Sequence, residues 1–166
     1  MSNPTYGLTW KTKLTDNSAT AQEQLGIIRY ELDSTNGLKK YKYVQAADDT
    51  TVANGTALGY LTTDTARLTV SSDQTDFLYN NPAGVGIGAI TAEYYGWVQI
   101  GGYHSAIKTN GDDDIAADAS LILTSTDGTV DSVAAGTAST YRPIAYSVAA
   151  DVDASDTVAG NGVCPE

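Results

Sequence analysis

The chain of 166 residues is long enough for one domain with a real core and too short for two well-filled ones. Its formal charge of −11 repels phosphate backbones, which argues against direct nucleic-acid binding. No run of about 18 apolar residues is present, which argues against a membrane-spanning helix. Leu, Glu, Lys, Arg and Met are thin while Thr, Val, Tyr, Gly, Ala, Ser and Asp dominate, a mixture suited to pleated strands joined by tight turns.

In GLTWKTKLT (7–15), Leu8, Trp10, Thr12 and Leu14 share one face, which predicts a half-buried strand. The polar stretch 16–25 reads as a loop or as a short helix capped by Ser18. GIIRYEL (26–32) and LKKYKYVQA (38–46) then alternate strictly. Between them lies DSTNG (33–37), whose Asn36-Gly37 tolerates positive φ, so a hairpin is expected. A second Asn-Gly turn is expected at Asn54-Gly55, which also forms the glycosylation sequon Asn54-Gly55-Thr56, and TARLTV (65–70) predicts another short strand. Asn81-Pro82 predicts a turn. After it, Val85, Ile87 and Ala89 alternate with Gly84, Gly86 and Gly88, so one strand face is bare backbone, suited to close approach of another backbone or to a bulge. Further strands are expected around Trp97 to Gly101, at SLILTS (120–125), at Val130 after the turn Thr126-Asp127-Gly128, and at PIAYSV (143–148). Short strands at about ten-residue spacing predict an all-β fold, a compact β-barrel or β-sandwich of short antiparallel strands with an extended terminal arm. The expected organisation is an N-terminal strand and loop or arm over 1–25, a β-rich domain over 26–148 and a tail or edge strand over 149–166. The scarcity of large aliphatics implies a modest core, or one completed by a partner.

The charge is uneven. Residues 1–43 carry six bases against four acids, a balance of +2, and residues 44–108 carry two against six, −4. Residues 109–166 carry Arg142 alone against ten acids, −9. Such a surface reads as ordinary solubilising charge, or as a docking face near the N-terminal strands opposite an acidic solvent face. On the second reading Lys11, Lys13, Lys39, Lys40 and Lys42 are interface candidates.

Chemistry is thinly provided for. His104 is the single histidine and no Gly-x-Ser-x-Gly elbow accompanies it, so it is expected to be structural. With one His and the lone Cys164, zinc has no ligand set, and no intrachain disulfide can form. Asp112, Asp113 and Asp114 are adjacent, whereas calcium loops need alternating ligands, so a solvated loop is expected. Glu93 is the carboxylate beside an aromatic cluster, but glycoside hydrolysis needs a positioned pair. GVGIGAI (84–90) lacks the helix and acidic residue of a dinucleotide fingerprint. No catalytic residue, cofactor or metal is therefore expected. Tyr94, Tyr95, Trp97 and Tyr103 offer a sugar-stacking platform if exposed together. Parity, however, sets Tyr94 opposite the other three, and core or subunit-interface packing is the expectation, with Tyr95 and Trp97 as interface candidates.

The run NNPAGVGIGAITAEYYGWVQIGGYHSAI, then DIAADASLILTSTDGTV, then YRPIAYSV, resembles small head-associated decoration (capsid cement) proteins of tailed bacteriophages. The resemblance covers roughly the last ninety residues, and its motifs are short and glycine-based. It departs at Ala117, where a glycine is expected before Asp118, and at Pro143-Ile144-Ala145, where Ile-Gly is commoner. The resemblance implies a non-enzymatic β-rich subunit that clamps neighbouring major capsid proteins, often as a homotrimer, on the outer surface of a virion assembled in the host cytoplasm. The N-terminal MSNPTYGLTWKTKL, with no apolar core or cleavage site of a secretory signal, is consistent with that expectation. The competing expectation is a carbohydrate- or cell-binding β-sandwich module of a phage fibre or surface adhesin.

Overall fold

The computed structural model describes residues 10–111, 114–133, 142–150 and 157–163. Ten strands and no helix are found among them. The strands are β1 (Ile28–Asp33), β2 (Gly37–Ala46), β3 (Ala57–Leu61), β4 (Thr69–Ser71), β5 (Phe77–Gly86), β6 (Tyr95–Lys108), β7 (Ser120–Leu123), β8 (Val130–Ser132), β9 (Ala145–Ser147) and β10 (Thr157–Val163). They form one sheet in the order β1-β2-β4-β3-β5-β6-β10-β9-β7-β8, and β2 also pairs with β6. That extra pairing closes β2, β4, β3, β5 and β6 into a ring. A single parallel bridge, Thr109 to Val130, brings the far end of the sheet back to the end of β6 and closes a second ring. The all-β expectation thus holds, as two fused barrel-like rings. Strand β6 serves both: its first half pairs with β2 and its second half with β10.

Each ring has its own core. Val44, Leu58, Val70, Ala83, Val98 and Ile100 come from all five strands of the first ring and fill its interior. Ile107, Val158, Ala145, Leu121, Leu123 and Val130 do the same for the second. A third, aromatic cluster of Tyr41, Tyr43 and Trp97 packs with Trp10, Leu14, Leu25 and Ile27. Because β6 is covered on both faces, Gly96 to Ile100 are all buried.

The β1–β2 hairpin forms where Asn36-Gly37 predicts it. Gly37 has φ +79°, and the Asp33 carboxylate accepts the N–H groups of Thr35 and Asn36. The bare face of β5 is used as expected: a Cβ on Gly86 would stand 2.2 Å from the Ala53 carbonyl oxygen. A bulge in the β3–β5 register falls between Gly84 and Pro82.

Several expectations are corrected. Residues 10–15 form no strand, although their burial alternates as predicted. The Glu23 carboxylate takes the N–H groups of Lys11 and Thr12, at 2.6 and 3.0 Å, and Asp16 takes that of Lys13, so side chains satisfy the donors a neighbouring strand would need. Residues 16–25 take the loop alternative and not the helix, fastened by the bridge from Ser18 to Tyr95. TARLTV gives strand only from Thr69, because the Asp64 carboxylate captures the N–H groups of Ala66, Leu68 and Thr69 and curls the chain before it. Asn81 and Pro82 lie inside β5, not in a turn. Pro82 sits between two register shifts, and at that point β5 is paired with β3 but not β6, so the missing N–H breaks no ladder. Two features depart from short antiparallel strands: β2 and β4 pair in parallel, and β6 is 14 residues long. The tail supplies an interior strand where an edge strand was expected, since β10 lies between β6 and β9. Residues 1–9 and 164–166, candidates for a terminal arm, fall outside the described residues.

Candidate interaction surface

The aromatic cluster is built by β2 and β6, whose register sets Tyr43 opposite Trp97 and Gln45 opposite Tyr95. Trp97 is 1 % exposed. Its ring meets Trp10 edge-on at 5.3 Å and Tyr43 at 5.1 Å, and its indole N–H donates to Thr12 Oγ1 at 2.9 Å. The Arg29 guanidinium lies 5.3 Å from the Trp10 ring and 5.7 Å from Trp97, donates to the Thr12 carbonyl at 2.9 Å and pairs with Glu31. Tyr95 is half-buried against the same cluster while Tyr94 packs on the first-ring core, the opposition that parity predicts. The aromatic group is therefore a packed layer under the loop of residues 10–27, not an open platform.

His104 is buried. Its Nδ1 accepts the Ala106 N–H and its Nε2 donates to the Gly86 carbonyl, both at 3.2 Å, so both ring nitrogens hold backbone together. Burial, ahead of the nearby Lys39 charge, holds its pKa below the ordinary imidazole value. Glu93 is exposed at φ +64°. Asp112 and Asp113 lie outside the described residues; Asp114 is exposed.

A cluster that the sequence did not announce is Asp49, Asp73 and Asp76, with one carboxylate oxygen of each within 4.8 Å of the others. Partial burial and the two neighbouring carboxylates push Asp76 up, against a hydrogen bond from Ser71. Asp73 is lowered by the N–H and hydroxyl of Thr75.

The five candidate lysines do not form one patch. Lys11 and Lys13 are exposed beside an open groove of about 630 Å³ between Trp10, Arg29 and Glu31. Lys39 stands on that same side of the hairpin, paired with Asp33 at 2.9 Å. Lys40 and Lys42 point from the opposite face, where Lys42 donates to the Tyr60 hydroxyl at 3.0 Å. Arg67, which no segment-wise charge count singled out, lies 5.9 Å from that same Tyr60 ring. Beside them Tyr30, Leu32 and Leu38 are exposed. No family model matches the chain, and no curated protein is significantly similar to it in sequence.

Proposed function

We propose that this protein is a virion structural subunit that decorates a capsid, binding and stabilising the shell of major capsid protein from outside, as a homotrimer. The observation that carries the reading is where the decoration-like stretches fall in the fold. YGWVQIGG (95–102) is the half of β6 whose pairing with β2 closes the first ring, and TSTDGTV (124–130) ends on Val130, whose bridge to Thr109 closes the second. The resemblance therefore lies on the residues that define the architecture.

One further feature supports a binding role over a catalytic one: His104, the single histidine, spends both ring nitrogens on backbone. The carbohydrate-binding alternative needs an exposed aromatic platform, and the buried Trp97 does not supply one. The test is addition of purified protein to expanded capsids lacking it. Binding and a raised capsid melting temperature or pressure tolerance are expected, with a 17.3 kDa species in purified virions by mass spectrometry and three times that mass for the free protein in solution. Absence of binding, with no such species in virions, would refute the reading.

A further inference from the structure

Five large apolar side chains are exposed among the described residues, and three of them lie together: Tyr30, Leu32 and Leu38 are 57 %, 81 % and 57 % exposed. Leu32 pairs with Leu38, and Tyr30 with Lys40, in the antiparallel register of the hairpin. Residues two apart on a strand share a face, so all three stand on one side. Further in, the same face carries Ile28 and Val44, which pack in the first-ring core. The hairpin thus continues a core-forming face beyond the body that buries it. Contiguous exposed apolar area of this kind on a soluble domain marks a contact surface.

The same face carries three cations on a chain of net charge −11. Lys42 Nζ lies 4.8 Å from the Tyr60 ring centre, Arg67 lies 5.9 Å from it, and Lys40 lies 5.8 Å from the Tyr30 ring. Contact with the rings holds these charges in place beside the apolar stripe. Asp64 is the acid closest in sequence to Arg67, and its carboxylate is engaged by three backbone N–H groups.

We propose that this face of the β1–β2 hairpin is the docking surface, and that its occupant is an acidic protein surface with an apolar recess for Leu32 and Leu38. The identity of that partner as the capsid shell rests on the function proposed above; the location of the face does not. An acidic partner is repelled by most of this molecule, above all by the segment that carries −9. It is attracted by the Lys40, Lys42 and Arg67 group, so charge selects the orientation of encounter and the leucines supply the contact.

The test compares four proteins on expanded capsids lacking the subunit: wild type, Leu32→Asp/Leu38→Asp, Lys40→Glu/Arg67→Glu, and Tyr146→Ser as a control. Tyr146 is an exposed aromatic on β9, outside the hairpin. Wild type and the control should bind alike. The leucine pair should weaken binding about a hundredfold, and the charge pair about tenfold at low salt with a flatter salt dependence. Both leucines are solvent-facing, so an unchanged melting temperature separates lost docking from lost folding. Equal binding by all four would overturn the face and leave the capsid reading standing. Failure of wild type itself to bind would overturn both. Light scattering adds a third outcome: self-association lost only in the leucine pair would make a second copy the occupant, against the proposal.

Discussion

Replacing Trp97 with alanine separates a packing role from a ligand-binding role in one experiment. The side chain is 1 % exposed, so its removal leaves a cavity under residues 10–27 and strips Trp10 and Tyr43 of their edge contacts. Large-aromatic-to-alanine changes in cores cost about 3–5 kcal/mol, cavity included. The lost hydrogen bond to Thr12 Oγ1 adds about 1 kcal/mol, giving roughly 5 kcal/mol in all. Against a total stability of about 5–15 kcal/mol, that is a large fraction. For a chain of this size it corresponds to a melting temperature lower by about 10–20 °C. Trp97→Phe keeps most of the packing and should cost about 1–3 kcal/mol, while Thr12→Val leaves the indole N–H buried and unpaired at a similar cost. A double-mutant cycle of Trp97→Phe with Thr12→Val should return a coupling of about 1 kcal/mol. Urea unfolding followed by circular dichroism measures each term, since both tryptophans lie in the perturbed cluster and fluorescence would report the lesion itself. A Trp97→Ala protein within about 1 kcal/mol of wild type, especially one that loses binding to a glycan array, would refute the packing account.

Two other predictions follow from backbone-facing groups. His104 resists protonation when folded, so the unfolded chain takes up more protons as pH falls below about 6.5 and native stability declines through that window. In His104→Gln the decline between about pH 6.5 and 5 should flatten, measured as urea midpoints at the two ends, and an unaltered slope would assign it to other groups. Glycine substitutions should separate crowding from backbone strain. Gly86→Ala drives a Cβ to 2.2 Å from the Ala53 oxygen and 2.6 Å from Val52, and should cost about 2–3 kcal/mol. Gly37→Ala meets nothing within 4 Å and should cost about 1 kcal/mol, the price of φ +79°. Thermal melts in the reverse order would refute that assignment.

Local chemistry explains which parts of the fold were legible. Gly37 and Gly128 act through their own φ, so the turns they make can be read without knowing the partners. The bare face of Gly84 and Gly86 signalled a close backbone approach but not whose. At residues 10–15, alternation foretold which side chains are buried and failed on pairing, because Glu23, twelve residues from Lys11, claimed the backbone donors. The β2–β6 and β6–β10 pairings join residues 49 to 62 apart in sequence, and no periodicity carries that information. The Asp49, Asp73 and Asp76 group escaped for the same reason.

Charge shows the limit of segment-wise reading most sharply. The +2 balance of residues 1–43 suggested one basic face, yet a strand sends successive side chains to opposite sides. Lys39 therefore leaves on the side of Asp33, which neutralises it, while Lys40 and Lys42 leave on the other. There they are joined by Arg67, from a segment that sums to −4, because the loop pinned by Asp64 brings its guanidinium to Tyr60. Lys11 and Lys13 sit across the hairpin near Asp16, Arg29 and Glu31, a mixed neighbourhood of both signs. On the docking face proposed above, an acidic partner would meet three cations around two tyrosine rings, beside the exposed Leu32 and Leu38. The N-terminal lysines contribute to the long-range field alone, which falls off within about 8–10 Å at ordinary ionic strength.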